Sequence, residues 1–119
     1  MATTSFTQLN VWMRAHQVTL GVYRITDAYP DRERFCLAQQ MRRAAVSVPA
    51  NIAEGYGRRR AQDKARFYNI AQGSSEELKY YLILSRDLGY LKEYDALWKP
   101  LEEVSRMLRR LVESVVSPD

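Results

Sequence analysis

Apolar residues recur in this chain at spacings of three and four residues through four successive segments, and this pattern constrains the fold more than any other feature. Strand-like alternation and Asn-Gly or Asp-Gly hairpin turns are not prominent, and the 119 residues include only five glycines and four prolines. A repeat near 3.6 residues predicts helices that each bury one face. We therefore expect an all-α protein with four helices.

The first helix is predicted to follow a capping box formed by Ser5 and Gln8 and to end before Pro30, because the residue preceding a proline is disfavoured in the α region. Its buried face is predicted to consist of Leu9, Trp12, Met13, His16, Leu20 and Tyr23.

The second helix is predicted from about Asp31 to Tyr56, and its apolar phase is maintained across Pro49. An interior proline removes one amide donor and crowds the preceding turn, so the unbroken phase indicates a kinked helix rather than two separate helices. Ser47 is placed where its hydroxyl can serve backbone groups freed by the proline. The core positions are predicted to be Phe35, Ala38, Met41, Ala45, Val48 and Ile52.

The third helix is predicted over roughly Ala61 to Leu88, and its apolar surface is wider than one bundle core requires. The surplus indicates a second buried surface between subunits, and Gly73 in the middle of the helix predicts a close approach by a neighbouring helix.

The fourth helix is predicted to begin near Trp98 or Lys99, because Pro100 is best tolerated in a first turn. Four such segments joined by short turns favour an antiparallel up-and-down four-helix bundle, with residues 1–119 forming one domain.

Composition argues against several classes of protein. The chain has one histidine, His16, and one cysteine, Cys36, so it can form neither a His-pair or thiolate metal site nor an internal disulfide. We interpret both as structural residues, with Cys36 as a small core thiol. Phosphate-binding glycine loops are absent, and Glu54 has no acid or base partner in the pattern. We therefore predict no catalytic residues, no metal and no cofactor. No run of about 20 apolar residues and no signal-peptide layout is present, which favours the cytoplasm over a membrane.

Positive charge is concentrated in one part of the chain. Residues 32–66 contain nine basic and three acidic side chains, whereas the other residues contain nine basic and eleven acidic ones. Eight of the nine cations are arginines, whose planar guanidinium groups suit phosphates. This pattern predicts RNA or DNA binding through phosphates with little base selectivity, and nothing in it distinguishes RNA from DNA. The predicted contact residues, with Tyr56 as a stacking platform, are Arg42, Arg43, Tyr56, Arg58, Arg59, Arg60, Lys64 and Arg66.

An alternative hypothesis assigns these arginines to salt bridges between subunits. The protein would then be an interaction scaffold for a protein partner and would not bind nucleic acid. Charge alone does not separate the two hypotheses, because an ordinary solvated face can also be rich in arginine.

Two stretches carry a resemblance to a known family. Residues 37–60 read LAQQMRRAAVSVPANIAEGYGRRR, and residues 67–82 read FYNIAQGSSEELKYYL. With Val11-Trp12, Phe35 and Leu88-Gly89-Tyr90, they resemble the four-helix-bundle proteins known from 23S ribosomal-RNA intervening sequences, and the likeness covers nearly the whole chain. The residues matching the family motif are Asn51, Glu54 and Gly55, and Cys36 departs from the small glycine often found at that place.

The resemblance implies a bacterial cytosolic protein without enzymatic activity and, as in related members, a ring-shaped homopentamer. A similar bundle serves as the accessory protein of diversity-generating retroelements, where a basic pentamer binds nucleic acid and a reverse transcriptase. The cellular role of the family itself is poorly defined, so the resemblance implies no particular ligand.

Overall fold

A computed structural model describes residues 4–116 and contains four long helices: α1 (Asn10–Thr26), α2 (Leu37–Gly57), α3 (Ala61–Asp87) and α4 (Tyr94–Val116). Each helix packs against its neighbours in the cyclic order α1, α2, α3, α4, whereas the diagonal pairs α1 with α3 and α2 with α4 do not pack together. The rod measures 47 × 24 × 22 Å. Short connections between cyclically adjacent helices give the antiparallel four-helix bundle expected from the sequence. No strand occurs between residues 4 and 116.

The core is divided along the rod into two clusters. One lies at the end that contains the α2–α3 connection and includes Val11, Ile52 and Leu108, and the larger one lies towards the opposite end and includes Met41 and Leu82. Apolar burial from all four helices holds the bundle together. The described helices include none that is long and apolar enough to cross a membrane.

The buried face of α1 differs from the predicted one. The helix buries Val11, Ala15, Val18 and Val22, while Met13 and Leu20 are about two-fifths exposed. The predicted face is therefore wrong for Met13, Leu20 and Tyr23, which are exposed on the outer side of α1. Leu9 and Trp12 are half-buried and pack against the core, as predicted. We call the exposed apolar residues of α1 the outer stripe, and it comprises Met13, Leu20 and Tyr23.

The segment before α2 also differs from the prediction. Residues Asp31–Glu33 form a short 3-10 helix, and α2 begins only at Leu37. The backbone of Cys36 (φ −120°, ψ −102°) departs from helical geometry and separates the two elements. As a result Phe35 is 76% exposed rather than in the core, and the free thiol of Cys36 is exposed, which corrects its assignment as a core residue.

The second helix continues through Pro49, which confirms a single helix across the proline. Proline at this position has no amide hydrogen for the carbonyl of Ala45. The Thr19 hydroxyl of α1 donates to this carbonyl at 3.0 Å and is shared with the carbonyl of Ala15 at 2.9 Å. A neighbouring helix thus supplies the missing donor. The predicted helper, Ser47, instead pairs with the Ser74 hydroxyl at 2.7 Å.

Two expectations about α3 and α4 are also corrected. The fourth helix begins at Tyr94, so Pro100 lies inside it rather than in its first turn. The carbonyl that Pro100 leaves without an amide belongs to Ala96, which is solvent-exposed, so water can bond it. A Cβ added to Gly73 would meet no atom of residues 4–116 within 4 Å, so none of the four helices approaches α3 closely there.

Candidate nucleic-acid interface

Three consecutive arginines form the whole connection between α2 and α3. The chain leaves α2 after Gly57, passes through Arg58, Arg59 and Arg60, of which Arg58 and Arg60 have extended backbones, and enters α3 at Ala61. All three side chains are exposed. A connection this short holds their backbone between two packed helices, so the three arginines lie at one end of the rod.

Lys64 closes the end of α2. Its Nζ donates to the carbonyl of Gly55 at 3.2 Å and to that of Tyr56 at 2.9 Å. The last carbonyls of a helix have no intrahelical donors and carry the negative end of the helix dipole, so an ammonium group there is stabilising. Lys64 therefore has a structural use, and its charge is partly committed to this helix end.

Two arginines lie over one aromatic ring beside this connection. The Cζ atoms of Arg58 and Arg66 are 4.7 and 4.8 Å from the centroid of the half-buried Phe67 ring. Nearby, the Nζ of Lys64 lies 5.6 Å from the centroid of the Tyr56 ring. Phe67 is not among the contact residues predicted from the sequence, so its part in a cationic cluster was missed. Its position directly after Arg66 was the available signal.

The cations of this region differ in how far their charge is compensated. Arg58 forms an ion pair with Glu54 at 2.9 Å, one helical turn earlier. Arg59, Arg60 and Arg66, in contrast, make no hydrogen bond or ion pair with any residue from 4 to 116. They are the groups most able to contact an anion.

The remaining two predicted arginines lie elsewhere. Arg42 and Arg58 are 16 residues apart on or next to one helix, which corresponds to roughly 24 Å along its axis. Arg42 donates from Nε to the Thr26 hydroxyl at 2.8 Å and pairs with Asp27 at 2.8 Å, so it ties the end of α1 to α2. Arg43 is exposed beside a polar groove between α2 and α3. The predicted set is thus divided between two levels of the rod.

The fold adds arginines that the sequence stretch did not include. The antiparallel arrangement brings the C-terminal part of α4, with Arg106, Arg109 and Arg110, to the end that contains the α2–α3 connection. Residues 4–17, 47–74 and 105–116 make up this half of the rod, and they contain nine basic and three acidic side chains. The other half, residues 18–46 and 75–104, contains nine basic and ten acidic ones. We call the first half the basic end. A spacing of three and four residues in α4 was the signal that these arginines share one side of a helix.

The three motif residues all make contacts within the bundle. Asn51 donates from Nδ2 to the carbonyl of Ser47 at 2.8 Å, and Glu54 holds Arg58. Gly55 lies against Tyr68: a Cβ added to the glycine would be 2.6 Å from the Cε1 atom of that ring. These contacts fix how α2 meets the connection and α3.

Burial and hydrogen bonding raise the pKa of several tyrosines. Burial raises the pKa of Tyr68, with a smaller contribution from Tyr56, and burial also raises the pKa of Tyr29. The hydrogen bond that Tyr81 donates to the Glu77 carboxylate at 2.6 Å is the main cause that raises the pKa of Tyr81. His16 stacks on Trp12 with ring centroids 5.0 Å apart. Among residues 4–116, no three metal-ligating side chains converge.

Comparison with known proteins identifies the fold and the family. A family model described as 23S rRNA-intervening sequence protein matches residues 7–110. The crystal structure of a protein of unknown function from the S23 ribosomal protein family of Bacteroides thetaiotaomicron superposes with a TM-score of 0.80. That protein is 20% identical to this one, and the superposition covers 87% of this chain and 98% of the other, so the likeness concerns the fold. No curated protein matches the chain.

Proposed function

The chain belongs to the 23S rRNA-intervening sequence protein family, and from the geometry of its basic end we propose that it is a non-enzymatic, cytoplasmic helical bundle that binds RNA or DNA through phosphates. The supporting observation is the position of Arg59, Arg60 and Arg66, which are exposed at one end of the rod with no carboxylate partner among residues 4–116. Phosphate contacts of this kind supply affinity without sequence selectivity.

The distribution of charge supports binding at one end. An excess of six positive charges in the basic end, against one negative charge in excess in the other described half, creates a field that attracts a polyanion to the connection and to the end of α4. Arg42 is excluded from the proposed contacts because Asp27 and the end of α1 occupy it. Lys64 contributes mainly through its long-range charge.

A titration with fluorescently labelled RNA, read by anisotropy at about 50 and 200 mM salt, tests the proposal. Salt ions compete with the arginines for the phosphates, so binding must weaken steeply as the salt concentration rises. Replacing Arg59 and Arg60 by glutamine is expected to weaken binding at least fivefold. The matched control, Arg24→Gln with Lys92→Gln, removes two charges from exposed positions of the other half and is expected to change binding less than twofold. No binding at 50 mM salt would refute the proposal.

We also propose that the chain assembles with copies of itself through the outer stripe of α1, rather than through the apolar surface of α3 that the sequence pattern indicated. Met13, Leu20 and Tyr23 expose about two-fifths of their surface on one helix, and Phe35 and Val46 add exposed apolar surface before and within α2. Contiguous apolar surface of this kind marks interaction sites in soluble proteins. A contact between this face and a different face of the next copy closes into a ring, which accommodates a homopentamer.

Light scattering after size-exclusion chromatography tests the assembly. A pentamer has a mass of about 70 kDa, five times the 13.9 kDa of the chain. Met13→Ser with Leu20→Ser is expected to release monomers that keep their helical content, whereas Ile70→Ser with Tyr80→Ser, on exposed positions of α3, is expected to leave the mass unchanged. A monomeric wild-type protein, or dissociation only of the α3 variant, would contradict the proposed interface.

A protein-interaction scaffold is the competing function, and the exposed ring of Phe35 in the groove with Tyr23 and Val46 favours it. Charge reversal of Arg58, Arg59 and Arg60 separates the two. A scaffold that uses these arginines between subunits loses its assembly in this variant, whereas the nucleic-acid-binding protein keeps its mass and no longer binds RNA.

A further inference from the structure

The arginines around Phe67 make more contacts with neighbouring side chains than phosphate binding requires. The Cζ atoms of Arg58 and Arg66 both lie within 4.8 Å of the ring centroid of Phe67. Arg58 is also held by Glu54, so its position is restricted by two partners. Phe67 itself lies close to α2, because its Cβ would be 3.2 Å from a Cβ added to Gly55. A restricted guanidinium group loses less conformational freedom when a ligand stacks on it.

A second aromatic group, Tyr56, lies in the last turn of α2. The Tyr56 ring has the Nζ of Lys64 5.6 Å from its centroid. Between these two aromatic–cation pairs the chain carries Arg59 and Arg60, which have no carboxylate partner between residues 4 and 116. Planar groups next to uncompensated cations are the combination that binds unpaired nucleotides, since the planar groups stack with bases and the cations contact phosphates.

We infer that the basic end binds single-stranded rather than double-stranded nucleic acid, with unpaired bases stacking on the cluster of Phe67, Arg58 and Arg66 while Arg59 and Arg60 contact the phosphates. This inference rests on the proposed function and names its ligand class. In a duplex the base faces are covered by neighbouring base pairs, so a duplex reaches only the phosphate contacts. Every base has a flat face, so stacking of this kind is tolerant of sequence.

The experiment compares two single strands of equal charge with a duplex that carries about twice that charge, so tighter binding of the RNA than of the duplex cannot come from charge alone. Affinities are measured by anisotropy at one low salt concentration for a 12-nucleotide RNA, for an abasic strand with the same number of phosphates, and for a 12-base-pair duplex. Stacking predicts that the RNA binds about tenfold more tightly than the abasic strand. Phe67→Leu keeps an apolar side chain against Gly55 but removes the ring, and it is expected to lower the RNA affinity about fivefold with no change for the abasic strand. Tyr80→Leu, an exposed aromatic position in the other half, is the control.

A second variant keeps the test valid if Phe67→Leu does not fold. Arg66→Lys retains the charge at an exposed position but removes the planar guanidinium group, so it is expected to reduce the advantage of the RNA over the abasic strand by about threefold. Equal affinity for RNA and abasic strands, or duplex binding as tight as that of the RNA, would overturn the inference and leave phosphate binding in place. Failure of all three ligands to bind would refute the proposed function as well.

Discussion

Replacing Thr19 by valine tests how the bundle tolerates a proline inside α2. The Thr19 hydroxyl is the donor that reaches the carbonyl of Ala45, which Pro49 leaves without its helical partner. Thr19 is 8% exposed and Ala45 is 1% exposed, so water does not readily replace this donor. A buried carbonyl without a partner costs about 1–3 kcal/mol, and the added methyl group offsets part of this cost. We expect Thr19→Val to lower the free energy of unfolding by about 1–2 kcal/mol.

The carbonyl of Ala45 is identified as the cause by combining this change with Pro49→Ala. Alanine at position 49 restores an amide that can donate to that carbonyl, so the Thr19 hydroxyl becomes less important. In the Pro49→Ala background we expect Thr19→Val to cost at least about 0.7 kcal/mol less than in the wild type, which is within the range that double-mutant cycles measure for contacting residues.

The four proteins are compared by urea unfolding followed by circular dichroism, at one protein concentration because assembly makes stability concentration-dependent. The expected stability change of Thr19→Val corresponds to roughly 4–8 °C in the unfolding temperature. Equal losses in both backgrounds would show that Thr19 does not serve the orphaned carbonyl. No loss in the wild-type background would refute the reasoning entirely.

Three further predictions concern packing and the buried tyrosines. Gly55→Ala forces its Cβ to within 2.8 Å of two atoms of the Tyr68 ring and is expected to lower the free energy of unfolding, measured in urea, by about 1–2 kcal/mol. Gly73→Ala has open space around it and is expected to raise the free energy of unfolding by about 0.5–1 kcal/mol. The reverse order of stabilities would contradict this packing. The buried Tyr29 hydroxyl lies near Ser85 but has no hydrogen-bond partner within 3.5 Å in residues 4–116. The free energy of unfolding of Tyr29→Phe is therefore expected to stay equal or rise, and a loss above about 1 kcal/mol would show that Ser85 is a partner. Because burial raises the pKa of Tyr68 above that of the unfolded chain, its contribution to stability is complete below about pH 10 and decreases as the pH rises through the folded-state pKa. Tyr68→Phe should therefore unfold with a weaker dependence on pH above 10, and an unchanged dependence would refute this assignment.

The helical class and the order of the helices were predictable from the sequence because both follow from the three- and four-residue spacing of apolar side chains. This spacing recurs along the whole of each segment. The orientation of α1 was not predictable in the same way. Its outer stripe has larger apolar side chains than its buried face, where Ala15 and Val18 fit close to neighbouring helices. Ranking the two apolar faces of α1 by the size of their side chains therefore selects the outward face. The buried face is recognised only from the short distance between α1 and its neighbouring helices.

The candidate site also has one part that was predictable from the sequence and another that depends on how the helices pack. Arg58, Arg59 and Arg60 were predictable because three consecutive cations between two helices cannot be buried. The separation of Arg42 from that group and the arrival of Arg109 at the same end depend on which helices are neighbours, and a linear count of charge does not contain this information. The Ala45 carbonyl likewise receives its donor from another helix, so inspection of α2 alone suggested Ser47 instead.

Hydrogen exchange measured by mass spectrometry, with and without a short RNA at low salt, tests most directly whether the protein binds polyanions at the basic end. The connection of residues 58–60 is exposed and lies outside the helices, so the amides of Arg59 and Arg60 exchange rapidly in the free protein. The expected result is slower exchange in peptides covering residues 55–68, with peptides covering residues 20–35 unchanged. Protection confined to residues 20–35, or none at RNA concentrations that saturate the anisotropy signal, would contradict binding at this end of the rod.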